Sequence, residues 1–322
     1  MTSATATLRE RLRPLHEGPR RTILHLLAGV IHLAVVVLCV VAWEFGWWPL
    51  SVILWLVIAW LDHAGLSRLH ESAHRMLFHS TALNELAGIS IGTLALTPLS
   101  VYRYVHTQHH AHLGREKDPE FWPYNQPGSP RWLRLTYAWL ELTAGWIFTP
   151  WLYSIRTAKA WQSLNFQLRK RLIMEWVVLA GFWTGVLLVV ASTHTWKWFL
   201  VGHLAPTWIA GSVQTIRKFT EHLGRFGDNI YEMTRTVEYT RPVGRAASRS
   251  QLHVEHHGTH HRWPKIPYHK LPEATQITFH EESQGHTYPN HLAALREMLP
   301  YLADPKLGPQ WKTANTSKVG SQ

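Results

Sequence analysis

Residues Thr22 to Trp43 read TILHLLAGVIHLAVVVLCVVAW, without a single charged side chain. As an α-helix this stretch extends about 33 Å, which matches a bilayer hydrocarbon core of about 30 Å. A second apolar stretch, GWWPLSVILWLVIAWL, runs from Gly46 to Leu61 directly after Glu44-Phe45. A third runs from Leu172 to Ser192, with Glu175 near its start, and a fourth from Trp196 to Ile216. The turn between these two, Thr193 to Thr195, is too short to cross anything. In lipid every backbone N–H and C=O needs an internal partner, so helices are the spanning form these runs support. The expected fold is an all-α integral membrane protein with two transmembrane helical hairpins, spanning about 22–43, 46–66, 172–192 and 196–217.

Composition agrees with this plan through its distribution. Hydrophobic residues make up 46% of the 322-residue chain, an ordinary share, but they are concentrated in those runs. Many of the 18 Trp lie at the ends of the runs, where a ring with an apolar body and one N–H suits the membrane interface. The only cysteine, Cys39, lies inside the first run, so no intramolecular disulfide can form. Basic residues set the orientation. Arg9, Arg11, Arg13, Arg20 and Arg21 precede the first span, and the segment between the hairpins and the C-terminal region hold most of the rest. The hairpin turns carry almost none, Lys197 being the nearest. Both termini and the central segment are therefore expected in the cytoplasm. Glu10, Glu17 and two prolines argue against reading the N-terminus as an amphipathic transit peptide. The formal charge of +11 suits anionic lipid, CoA phosphates or an acidic carrier protein. No nucleic-acid-binding motif is visible, and no nucleic-acid partner is expected.

Three further segments complete the organisation. Leu83 to Tyr104 is apolar but contains Thr97-Pro98 and runs straight into a histidine cluster, so a re-entrant or surface-lying helix is expected there. A full crossing would separate that cluster from the others. Trp132 to Tyr153 mixes Trp, Tyr and Arg with Glu141 and Pro150 and reads as an interfacial helix. The domain plan is a cytosolic N-terminal segment over 1–21, one membrane-bound domain over 22–310 and a disordered tail over 311–322.

Among 23 histidines, spacing separates signal from background. His70-Glu71-Ser72-Ala73-His74 places two imidazoles one helical turn apart on one face. His106-Thr107-Gln108-His109-His110 places three at i, i+3 and i+4, and His253-Val254-Glu255-His256-His257 repeats that pattern. Two ring nitrogens one turn apart can clamp one metal. Adjacent histidines diverge by about 100° on a helix and can serve two metals side by side. The second span can continue as a helix into the cytosol to present His70 and His74, and the fourth can do the same for His222. His70, His74, His106, His109, His110, His222, His253, His256 and His257 are thus the candidate metal ligands, enough for two ions with four or five each. His79, His112, His260 and His261 are read as supporting or solvated neighbours, and His25, His32 and His203 as packing residues within the spans. Glu71, Glu221 and Glu255 adjoin proposed ligands and can fix imidazole tautomers, although their faces equally suit solvent. Asp118-Pro119 is expected to set a tight turn behind the second box. The chain has no flavin or nicotinamide fingerprint and no cysteine cluster for an iron–sulfur centre.

HESAH, HTQHH and HVEHH, placed in this order around two hairpins, resemble the three histidine boxes of the membrane-bound fatty acid desaturase family. The resemblance extends through LNELAG, HLGREKDPE, RKFTEH and PKIPYHKLPE, covering roughly residues 60 to 280. It implies a four-span, mushroom-shaped helical protein whose cytosolic helical cap holds a di-iron centre on the nine histidines named above. It also implies desaturation of a fatty acyl chain with O2 as co-substrate. The substrate would be an acyl lipid, an acyl-CoA or an acyl carrier protein. No His-Pro-Gly-Gly stretch of a fused cytochrome b5 domain is present, so a separate ferredoxin- or cytochrome-type protein is the expected electron donor. The chemistry explains the need for metal. A mid-chain methylene has no acidic proton, so acid–base catalysis cannot begin the reaction, whereas redox metal and O2 can. Imidazole suits several metals, so iron rests on the resemblance and the redox task. Hydroxylation, ketolation or acetylenation could occur at the same kind of centre. A membrane metal transporter is the alternative from another class, but it would place ligands within the spans.

Overall fold

A computed structural model describes residues 3–17, 22–281 and 287–312. It is built almost wholly from helices: α1 (Ser3–Leu12), α2 (Thr22–Glu44), α3 (Trp48–Ala73), α4 (Thr81–Leu94), α5 (Leu99–His112), α6 (Arg131–Lys159) and α7 (Phe166–Ser192). After these come α8 (Trp196–Phe199), α9 (Ala205–His222), α10 (Ile230–Met233), α11 (Pro242–Ser250), α12 (His257–Arg262), α13 (Leu271–Glu281) and α14 (His291–Met298). The strands are two residues each, β1 (Thr236–Val237) paired in parallel with β2 (Thr287–Tyr288). The chain divides into two compact units. One holds residues 21–104 and 140–215; the other holds 1–20, 105–139 and 216–322. The expected disordered tail falls almost entirely on 313–322, outside the described residues.

The first unit is the apolar one. Three of its helices, α2, α3 and α7, are long and apolar enough to cross a membrane. Their surfaces carry large aliphatic side chains outward: Val30 and Leu33 on α2 are each 66% exposed, an arrangement that lipid satisfies and water does not. Gly46, at φ +74°, makes the tight reversal between α2 and α3, and Pro49 starts α3 where its missing N–H costs nothing. Cys39, Ala42, Leu54, Ile58 and Val201 form the buried seam.

The expected fourth span, 196–217, is not one uninterrupted α-helix. Between α8 and α9 the backbone forms a π-helical turn over Leu200–Leu204. Such a turn loosens a carbonyl from the regular ladder. The indole N–H of Trp55 donates to Val201 O at 2.8 Å and satisfies it within the protein.

The apolar segment before the second histidine box, expected to be a re-entrant or surface-lying helix, is a bent pair of helices broken at Thr97-Pro98. α4 and α5 meet at 100° across a four-residue break. Helix α7 supplies what the break exposes. Trp183 Nε1 donates to Thr93 O at the end of α4 (2.8 Å), and Glu175 Oε2 accepts from Ser100 N at the start of α5 (2.7 Å). Glu175 Oε1 also accepts from Ser100 Oγ and from Arg171. Gly92 is required here, since a Cβ would lie 2.4 Å from Thr97 O. The segment read as interfacial is α6, with a kink at Ala144 and Trp132, Trp139 and Trp151 exposed along it.

The second unit has a buried core of its own. The N-terminal helix α1 stops ahead of Pro14; its Leu8 and Leu12 are buried, as is Leu15 in the 3-10 turn that follows. Phe121, Tyr124, Phe219 and Leu223 are fully buried and back the histidine-bearing ends of α5 and α9.

Candidate metal centre

Three short elements of the second unit carry seven buried or half-buried imidazoles: the end of α5, the end of α9 and all of α12. His106 and His110 stand one turn apart on α5, with their Nε2 atoms 3.0 Å apart. His260 Nε2 of α12 lies 3.2 Å from His110 Nε2, which closes one group. In the other group His222 Nε2 lies 2.7 Å from His257 Nε2, and His261 Nε2 lies 3.0 Å from His257 Nε2. His109 completes it, with its ring centroid 5.1 Å from that of His222 and 4.8 Å from that of His261. His109 and His110, neighbours in sequence, serve different groups, as their divergence on a helix dictates.

The structure brings only part of the expected third box into the two groups. The spacing i, i+3, i+4 occurs twice in overlapping frames, His253-x-x-His256-His257 and His257-x-x-His260-His261. The first frame was the expected box, but only the second lies on a helix. Helix α12 begins at His257, whereas His253 sits in a left-handed turn at φ 54° and His256 precedes the helix. His257, His260 and His261 therefore enter the two groups. His253 and His256 do not; they stand apart with Glu255. His260 and His261, read from the sequence as supporting or solvated neighbours, stand within the two groups. Their signal was the second frame itself, which becomes decisive once the helix start is known.

His70 and His74 belong to the first unit. They close α3, which runs unbroken from Trp48 to Ala73, and their ring centroids lie 4.8 Å apart. Glu71 Oε1 lies 3.1 Å from His70 Nδ1.

Neighbouring groups orient the imidazoles. Asp118 does more than shape a turn: its Oδ2 lies 2.8 Å from His109 Nδ1 and accepts from Gly114 N, while Oδ1 accepts from Glu120 N. The carboxylate is thereby fixed and in turn fixes the His109 tautomer with Nε2 toward the group. His222 Nδ1 donates to Met233 O at 3.2 Å, which leaves its Nε2 lone pair inward. Glu221 is buried, not solvated: it accepts from Arg217 at 2.7 Å, and its other oxygen lies 3.6 Å from His257 Nε2. Burial pushes Glu221 up to about 7, against the pull of Arg217.

The residues present fit a metal. Burial, reinforced by neighbouring imidazoles, drives His222, His257, His260 and His261 well below the usual histidine range. They are neutral at physiological pH and keep a lone pair for a cation. The close Nε2 approaches have the same meaning. One hydrogen on His257 Nε2 cannot serve both His222 and His261, whereas one metal ion can accept from all of them. Nitrogen donors of this kind suit iron, zinc, copper or nickel.

The model of the fatty acid desaturase family matches residues 45–292. The chain belongs to the fatty acid desaturase family. The match takes in every histidine of both groups, together with His70 and His74, and stops short of the polar N-terminus. A comparison with curated proteins finds no match. Membership in the desaturase family makes this chain an oxidoreductase with a fatty acyl substrate, and three helices apolar enough to span fit a membrane protein.

Proposed function

We propose that this desaturase uses O2 and two iron ions to insert a double bond into a fatty acyl chain, drawing electrons from a separate donor protein. The observation that carries the reading is the pair of buried imidazole groups on α5, α9 and α12, which suits two adjacent redox ions. One ion would be held by His109, His222, His257 and His261. The other would be held by His106, His110 and His260; the HxxxH clamp of His70 and His74 is proposed to supply further metal ligands. When bound, iron supplies the capacity to reduce O2 and remove hydrogen from an unactivated C–H bond.

The chain's own side chains have three tasks in this scheme. His222, His257, His260 and His261 stay neutral and preorganised, so they need lose no proton before metal enters; at His109 burial is outweighed by the charges of Asp118 and Glu120, which raise it. Asp118 and Met233 O hold His109 and His222 in the tautomer that points Nε2 inward. Buried Phe121, whose ring centroid lies 4.8 Å from that of His222, and Phe219 keep water from the far side of the cluster. The electron count requires a partner. Reducing O2 to two waters takes four electrons; two come from the acyl chain as its double bond forms, and two from outside. The sequence holds no second redox motif, so a ferredoxin- or cytochrome-type protein is the proposed source. An acyl lipid, an acyl-CoA or an acyl carrier protein would present the chain, with the centre and both termini on the cytoplasmic side.

Expression in a host of defined lipid content, with product analysis by mass spectrometry, tests the proposal. New double bonds are expected with the wild-type chain. His260→Ala and His261→Ala should each lower product at least about 100-fold and lower iron content with it. Normal turnover by either variant would remove that residue from the centre. A hydroxylated product would keep the metal centre but overturn desaturation as its outcome.

A further inference from the structure

The two histidines left out of the groups have their own constellation. His253, Glu255 and His256 each place one ligand atom within 4.8 Å of the others. Two imidazoles and one carboxylate form a donor set that first-row divalent metals favour. The carboxylate is deeply enclosed, with Glu255 only 2% exposed and His256 only 4%.

Hydrogen positions can be worked out here from the partners. Thr275 Oγ1 donates its one hydrogen to Leu271 O at 2.9 Å. With that hydrogen on Leu271 O, Thr275 Oγ1 accepts from its other two neighbours, His256 Nδ1 and Thr259 Oγ1, each 2.9 Å away. His256 Nε2 is then a bare lone pair. Ser248 Oγ hydrogen-bonds the Glu255 carboxylate, which accepts; its oxygen in turn accepts from His253 Nδ1 at 2.6 Å. His253 Nε2 is thus a lone pair as well.

The deciding feature is the gap between the acceptors. Glu255 Oε1 is buried with no hydrogen-bond partner among the described residues, and it faces the His256 Nε2 lone pair at 3.9 Å. A proton on either atom would not bridge that distance as a hydrogen bond. Two ligands about 2.1 Å from one shared ion lie about 3.4 Å apart at the tetrahedral angle and at most about 4.2 Å apart, a range that takes in this gap with a widened angle. The turn is also built to hold the triad. His253 and Leu252 both take left-handed backbone angles, which side chains adopt at some cost and mostly where surrounding structure demands it. Glu255 O accepts from Val237 N of β1 at 3.0 Å and anchors the turn from below.

We propose that His253, Glu255 and His256 form a third metal site, separate from the two-metal centre, for a divalent first-row transition-metal ion such as Zn2+ or Fe2+. Its place explains its use. His257, the next residue, opens α12 and belongs to the second imidazole group, so an ion here would pin the turn that delivers His257.

The test counts metal. Purified full-length chain is incubated with Fe2+ alone or with Fe2+ followed by Zn2+, freed of loose metal, and its total metal per chain measured by mass spectrometry. About three ions are expected for the wild type. Glu255→Gln and His253→Asn should each hold about two, eluting as the wild type does on size exclusion. Equal counts in wild type and both variants would overturn the site and leave a hydrogen-bonded cluster. Loss of all metal in a well-behaved variant would also overturn it, because the triad would then merely support the two-metal centre. A wild-type chain with one ion, lost in Glu255→Gln, would sustain the third site while sinking the two-metal reading.

Discussion

Asp118 is the side chain that fixes His109. Its two oxygens receive two backbone N–H groups and face His109 Nδ1, so it orients a candidate ligand without being one. Asp118→Asn keeps the shape but offers an amide where the imidazole N–H needs an acceptor. We expect turnover to fall about 10- to 100-fold, with weaker iron binding and an unchanged acyl-chain product. Wild-type iron affinity together with wild-type turnover would reduce Asp118 to a turn residue. The sequence made the ligand type and the spacing legible at this scale, because HxxHH presupposes a helix. It left the frame of the third box open. HVEHH and HGTHH share His257, and the choice between them depends on where α12 starts, which neither spacing nor composition settles. Burial of Glu221 and Glu255 was equally hidden, since a carboxylate beside a histidine looks the same on paper whether it faces solvent or core.

Helix α7 decides how the polar break between α4 and α5 survives in an apolar unit. An unsatisfied backbone group in hydrocarbon costs several kcal/mol, and α7 meets two of them through Glu175 and Trp183. Glu175 is buried and also pairs with Arg171 at 2.8 Å. Glu175→Gln removes the charge behind three hydrogen bonds and should cost about 2–3 kcal/mol; Trp183→Phe removes one neutral bond and should cost about 1 kcal/mol. Thermal unfolding in detergent should rank the variants in that order below the wild type. Midpoints indistinguishable from wild type would mean that the break has other support. The apolar runs and the Pro98 break were readable because length and charge in a bilayer are severe constraints. The π-turn at Leu200–Leu204 was not, because it is stabilised by Trp55, more than a hundred residues away in the chain. A glutamate near the start of a span likewise gave no hint that it caps another helix.

Charge over the whole molecule bears on where the electrons enter. The net charge of +11 favours an acidic carrier, but the structure narrows which basic residues can meet one. Of the cations near the histidine boxes in sequence, Arg217 is committed to Glu221, Lys218 is buried, and Arg225 pairs with Glu297. Arg115, Lys117, Arg262 and Lys265 remain exposed on the unit that carries the seven imidazoles. Arg262 ends α12 and Lys265 follows it, so these two lie closest in sequence to His260 and His261. Pairing of exposed charges mainly speeds encounter and fades with salt, as the Debye length shrinks from about 10 Å at 0.1 M to about 3 Å at 1 M. Reduction of the metal centre by a ferredoxin- or cytochrome-type donor should therefore slow about tenfold or more over that range while iron content stays constant. The double variant Arg262→Glu with Lys265→Glu should show the slow rate already at low salt and lose most of its salt dependence. Weakened lipid binding could mimic the salt effect on turnover, so stopped-flow reduction with substrate absent is the measurement that separates them. A reduction rate indifferent to both salt and these two charges would exclude this surface as the docking face.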